Sequence, residues 1–240
     1  MKALVLLSVG RHPVSGKPGP PRAELQAARM AGELDAQAGG LHAGSLAVCL
    51  SEALGRGLTH LTHLRLDAAA DPVPVLVAAL RDLMPDVVLA GPRAEGGEDT
   101  GLVPYALAQA LGWPMVAHAV AVEPAAGGLR VTQALAQGAR RHVLTRLPVV
   151  VTVHPAAPAP RPFAWARARA GRIVEAPAAP APPRPPGEGE TRPYRARPKA
   201  MSRSGGPQDK GRVLVDPDPQ EAAREILAFL REIGVVGPAR

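Results

Sequence analysis

The chain has 240 residues, 28 Lys+Arg against 21 Asp+Glu, a formal charge of +7, and a hydrophobic share of 46%. That much apolar material can build the core of one large domain or two small ones, which excludes wholesale disorder. The single cysteine, Cys49, excludes a disulfide framework and a cysteine-based zinc site, and no apolar run reaches the roughly 18 residues of a membrane span.

Ala3–Val9 is a continuous apolar run, the pattern of a strand buried on both faces. Gly10-Arg11-His12-Pro13 follows it without an A-x-A cleavage signal, so the run is read as a core strand rather than a signal peptide, and the expected location is cytoplasmic. Arg22–Ala38 predicts a helix, with Gly39-Gly40 as its stop. Leu41–Ala47 predicts a short strand, Leu50–Arg56 a short helix, and Leu61–Leu66 a half-exposed strand. Asp71-Pro72 is a cap followed by Pro at the first helical position, opening a helix to about Met84. Asp86–Ala90 predicts another strand, and Thr100–Leu111 a helix stopped by Gly112 and Pro114. Val116–Val122, Leu129–Leu135, His142–Leu147 and Val149–Val153 then read as strands with no long helix between them, so hairpins are expected. Near the end, Arg212–Val215 predicts a strand. Asp218-Pro219-Gln220-Glu221 opens a helix with an apolar stripe of Ile226, Leu227, Phe229 and Leu230, ended by Gly234.

Strand–helix units followed by hairpins predict an α/β fold over residues 1–153: a mostly parallel sheet, helices on both faces, and antiparallel additions. Ligands of such sheets sit beyond the carboxyl ends of the strands, where the strand order reverses. The candidate loops are Gly10–Pro21, His42–Ser45 and Gly91–Glu98.

The charge is localised. Residues 154–212 hold 12 cations, four acids and 13 of the 28 prolines, a net +8, while the remainder carries −1. This predicts a nearly neutral body, a basic Pro-rich arm over 154–212, and a terminal strand and helix over 213–240 that dock on their own domain or on a partner subunit. Such an arm suits nucleic acid, an acidic protein surface, or no partner at all. Six aromatic residues in the whole chain leave few stacking platforms, and the body offers no base-reading element, so nucleic acid is not expected as a partner.

G-x-G-x-x-G, G-x-x-x-x-G-K-[ST] and G-x-S-x-G are all absent. His60 and His63 would share a face only on a helix, and their segment reads as a strand. His42, His118, His142 and His154 read as structural or exposed, so neither a metal site nor a catalytic residue is expected. The informative stretch is Gly91-Pro92-Arg93-Ala94-Glu95-Gly96-Gly97-Glu98-Asp99-Thr100-Gly101-Leu102-Val103, where a buried strand feeds a glycine-rich loop that opens a helix. Unpaired N–H groups and the positive end of the helix dipole suit such a place to phosphate. The same pattern also fits an ordinary loop whose acids favour a helix start.

Gly91 to Pro114 resembles the signature region of the electron-transfer flavoprotein beta subunit. Asp99-Thr100-Gly101-Leu102-Val103 and Leu111-Gly112-Trp113-Pro114 match that family's D-T-G-x-V and L-G-W-P in register. Pro85–Gly91 is similar to its P-D-L-V-L-x-G, Leu147–Val153 to its L-P-A-V-V-T-V, and Arg161-Pro162-Phe163 with Arg167–Arg172 to its P-R-Y and basic stretch. The sequence departs from the family at Pro92-Arg93-Ala94-Glu95, where K-Q-A-I is usual, and at Gly19–Ala23, where N-P-F-D-E opens the first helix.

The resemblance implies a Rossmann-like sheet of the adenine-nucleotide-hydrolase type. It implies an electron carrier rather than an enzyme: a subunit that pairs with an alpha subunit holding most of the FAD, and that buries a structural AMP or, as in electron-bifurcating members, a second FAD in its place. Phosphate contacts would fall on Asp99, Thr100, Gly101, Leu102 and Val103, and adenosine contacts near Ser8, Val9, Ala43 and Gly44. A docking loop for a flavoprotein dehydrogenase would fall on about Pro160–Ala166, with Arg161, Phe163 and Trp165 as its contacts. The rival reading is a stand-alone adenine-nucleotide-binding protein of universal-stress type, using the same helix start.

Overall fold

The computed structural model describes residues 1–12, 15–45, 50–67, 70–94, 100–178 and 214–235. The chain divides into a unit over Met1–Pro186 and a second over Gly187–Arg240. In chain order the first unit holds β1 (Ala3–Leu6), β2 (Gly10–Arg11), β3 (Pro18–Gly19), α1 (Arg22–Leu34), β4 (Gly39–Gly44), α2 (Ser51–Gly55), β5 (His60–Arg65), α3 (Pro72–Leu83) and β6 (Val87–Ala90). Next come α4 (Val103–Leu111), β7 (Met115–Ala125), β8 (Gly128–Ala134), β9 (Arg140–Thr145), β10 (Val149–Val153), α5 (Trp165–Ala170) and β11 (Arg172–Ala176). In the second unit the described element is α6 (Pro219–Glu232).

One nine-stranded sheet runs β11-β5-β4-β1-β6-β10-β7-β8-β9. Strands β11 through β7 are parallel, and β8 and β9 extend the sheet as antiparallel hairpins. Its central strands are the apolar runs: every residue of β1, β6 and β10 is buried. One face packs under α1 and α2 through residues such as Val5, Met30, Leu54 and Val151. The other packs under α3 and α4 through Leu4, Leu41, Leu80 and Leu107. Each such side chain contributes ~1.5–3 kcal/mol of burial. The α/β architecture expected from the sequence is the one observed.

Local chemistry sets the helix starts. Asp71 caps α3 by accepting from the Val73 N–H at 2.9 Å, with Pro72 at the first position. Asp218 does the same for α6 at 3.1 Å, from the Gln220 N–H.

Four expectations need correction. Helix α1 ends at Leu34, and Gly39-Gly40 begin β4 instead of stopping a helix. A Cβ on Gly40 would lie 2.8 Å from Leu61 and 2.9 Å from Leu7, so close packing, not helix termination, requires glycine there. β10 forms no hairpin with β9 but lies parallel between β6 and β7, while β5 is half-exposed as expected, with β11 along its far edge. Trp165–Ala170 and Arg172–Ala176, read as loop and arm, form α5 and β11. Leu214 and Val215 are not strand; residues 212–213 lie outside the described residues.

Candidate functional site

After β1 the chain moves outward to β4 and β5. It then crosses β1 through α3 to reach β6. The strand order therefore reverses between β1 and β6, and their carboxyl ends open onto a crevice. Leu7–Val9 leaves β1 there and Gly91–Arg93 leaves β6 there.

Glu24, in the first turn of α1, stands at this point and is 3% exposed. Its carboxylate accepts from the Ser8 N–H at 2.7 Å and from the Ser8 hydroxyl. A Cβ on Gly91 would lie 3.1 Å from Glu24 Cγ, so the strand end passes close against the acid. The start of α1, where many nucleotide-binding sheets seat a phosphate, carries a carboxylate of its own.

The neighbouring helix start is different. Gly101 has φ +72°, and a Cβ there would lie 3.0 Å from Pro92 O. Thr100 Oγ1 accepts from the Leu102 N–H at 3.3 Å as the chain turns into α4. Within α4 the first carbonyl-bonded N–H is that of Ala106, to Leu102 O at 2.9 Å. The N–H groups of Val103 and Tyr105 have no carbonyl within the helix to bond, and Pro104 has none to offer. Leu102 is exposed. Asp99 and residues 95–98 lie outside the described residues.

Ser8, Val9, Ala43 and Gly44 line the same rim, at the carboxyl ends of β1 and β4, which are paired up to Leu6 and Leu41. Two buried histidines fix this rim. His42 Nδ1 bonds Leu7 O at 2.8 Å, and His63 Nε2 donates to Gly44 O at 2.8 Å. Their rings stack at 5.5 Å across the register pair of β4 and β5. Glu175, the β11 register partner of His63, places Oε1 3.7 Å from His63 Nδ1. The fold thus places Ser8, Val9, Ala43 and Gly44 at the carboxyl ends of β1 and β4, and Thr100, Gly101, Leu102 and Val103 at the start of α4, beyond the end of β6. It adds Glu24 and His63, which sequence reasoning missed, and His42, which it read as structural or exposed and which is buried. An acid in the first turn of a helix was the only available sign of Glu24; nothing local marked the two histidines.

Arg161, Phe163 and Trp165 lie away from this rim. After β10 the chain forms a strap over α1 and α2. Gln26 donates to Pro155 O at 3.1 Å and Ala157 O at 2.7 Å, Arg29 to Ala159 O at 2.9 Å, and Arg56 to Arg161 O at 2.8 Å. The Ala164 N–H donates to Gly55 O at 2.8 Å. Phe163 covers Gly55, where any Cβ would collide with its ring. Trp165 is 69% exposed, with its ring centroid 6.3 Å from that of Phe163. Among the described residues no group of three His, Cys, Asp or Glu could hold a metal ion, and no helix is long and apolar enough to cross a membrane.

Fold and rim together define a doubly wound α/β protein whose strand order reverses between β1 and β6. The chain matches the family model of the electron transfer flavoprotein domain over residues 14–181. It is 35% identical over 252 residues to a protein of Chromohalobacter salexigens named electron transfer flavoprotein subunit beta, an overlap of 97% of this chain and 94% of that one. The chain belongs to the electron transfer flavoprotein family, among its beta subunits.

Proposed function

We propose that this chain is the beta-type subunit of a heterodimeric electron-transfer flavoprotein. It carries electrons from a flavoprotein dehydrogenase to a downstream acceptor, with an alpha subunit holding most of the FAD. A structural AMP belongs at the carboxyl rim. Its phosphate would meet the helix start at Thr100–Val103, with Asp99 beside it, and its adenosine would meet Ser8, Val9, Ala43 and Gly44. The observation that carries the reading is the pair of neighbouring helix starts. A carboxylate fills the one at Glu24, whereas at the one after Gly101 the first N–H groups have no carbonyl partner within the helix and the backbone turn is tight enough to demand glycine. Arg161, Phe163 and Trp165 form the docking surface for the dehydrogenase. A cytoplasmic location is part of this reading.

Co-expression with an alpha subunit tests it. The expected product is a yellow heterodimer that releases one FAD and one AMP on denaturation. A stable colourless homodimer indifferent to any alpha subunit, or ATP turnover by the isolated chain, would overturn it; the latter would favour a protein of universal-stress type.

A further inference from the structure

We propose that the cavity between Arg161 and Arg167 accepts a carboxylate side chain, Asp or Glu, presented by the protein that docks on Phe163 and Trp165. The cavity holds about 410 Å³ and lies where the strap passes the C-terminal ends of α1 and α2. Gly32, Gly57, Thr59 and Gly171 line it together with the two arginines. It contains no acidic residue.

The arginine at its wall is built in. A Cβ on Gly32 or on Gly57 would lie 3.3 Å from Arg161 Nη1, so the two glycines leave the space its guanidinium fills. The Gly57 φ of +128° reserves that position for glycine independently. The Arg161 backbone is held in turn by Arg56, itself paired with Glu52 at 2.8 Å. Among the described residues no carboxylate pairs with Arg161 or Arg167. The nearby acid Glu33 is taken by Arg29 at 2.9 Å. Two planar donors lining one cavity, with the nearby acids Glu33 and Glu52 paired to Arg29 and Arg56, fit a carboxylate better than any neutral group. The exposed Trp165 stands two residues from Arg167 and supplies the apolar contact beside it. Apolar anchors flanked by arginine are the usual centre of a protein interface. The occupant is therefore an acidic side chain next to an apolar cleft on the partner. This rests on the docking surface proposed above.

The test separates the two ideas. The co-expressed heterodimer is assayed for reduction by the flavoprotein dehydrogenases of the same organism, at low and high salt. Arg167→Gln should raise the KM for the heterodimer several-fold at low salt with kcat unchanged. The difference should shrink as salt screens the charges. Arg130→Gln, on β8, serves as a charge control and should leave KM in place. In a second arm the full chain is titrated with a hexaglutamate peptide while the Trp165 indole N–H resonance is followed. A saturating shift is expected in the wild type and its loss in Arg167→Gln, whereas Arg161→Gln is read only if its fold is intact by circular dichroism. An Arg167→Gln protein that binds the peptide and its dehydrogenase as the wild type does would overturn the carboxylate site and leave the docking surface standing. Displacement of the peptide by equimolar inorganic phosphate would overturn it in favour of a small-anion site. If Trp165→Ala leaves KM unchanged, the docking surface itself is wrong and the proposal falls with it.

Discussion

Glu24 grips Ser8 at both the backbone N–H and the hydroxyl, joining the first turn of α1 to the end of β1. Sixteen residues separate the two in sequence. A hydrogen bond of this kind contributes about 0.5–1.5 kcal/mol, and Glu24 itself is buried. Glu24→Gln keeps one acceptor and should cost about 1–2 kcal/mol in urea unfolding. Glu24→Ala should cost more, and combining it with Ser8→Ala should be clearly less than additive. A full sum of the two losses would show that the residues do not act as a unit.

Gly101 and Gly112 offer a matched comparison. Both have positive φ, +72° and +69°. An alanine at Gly112 would meet nothing within 4 Å and should cost only about 1–2 kcal/mol, the penalty of left-handed backbone. An alanine at Gly101 adds a close approach to Pro92 O and reshapes the start of α4. Gly101→Ala should therefore lower nucleotide occupancy of the purified heterodimer, measured after denaturation, while Gly112→Ala leaves it intact. Equal occupancy in both variants would remove the helix start from the binding site.

His63 is buried and ties β5 to the Gly44 carbonyl, whereas Glu175 beside it is 64% exposed. His63→Leu should destabilise the protein by about 1–3 kcal/mol, because the loss is that of a buried donor. Glu175→Gln should stay within about 1 kcal/mol, the range of exposed ion pairs. Thermal unfolding of the two variants side by side checks the ratio; a larger loss from Glu175→Gln contradicts it.

Phe163 and Trp165 should separate stability from docking. Trp165→Ala removes a side chain that is mostly in solvent and should change stability by no more than about 0.5 kcal/mol. It should nevertheless raise the KM for the dehydrogenase. Phe163→Ala uncovers Gly55 and should cost more in stability, about 1–2 kcal/mol. Denaturant unfolding together with the reduction assay reads both quantities.

Much of the fold was legible because its signals are local. The buried strands β1, β6 and β10 announce themselves as apolar runs, and Asp71 and Asp218 mark helix starts by caps that the structure forms. β11 was not legible. Arg172–Ala176 is short and mostly exposed, and it is a strand only because β5 offers it an edge. Gly39-Gly40 misled for a similar reason: a glycine pair ends helices, but here its neighbours Leu7, Leu61 and His60 come from other strands. In the candidate site, Gly101 could be singled out, since a glycine before a helix has a local meaning. Glu24, His42 and His63 could not, because their bonds reach Ser8, Leu7 and Gly44 through the fold.

The strap has a kinetic consequence. It leaves the sheet from β10 and re-enters it at β11, and Gln26, Arg29 and Arg56 fasten it between those ends. A partner landing on the proposed docking surface of Phe163 and Trp165 would meet residues already ordered by the folding of the chain. Little loop entropy remains to be lost on contact. Encounters can then form and dissolve at rates set by diffusion and charge rather than by rearrangement, which suits a carrier that must release one protein before visiting the next.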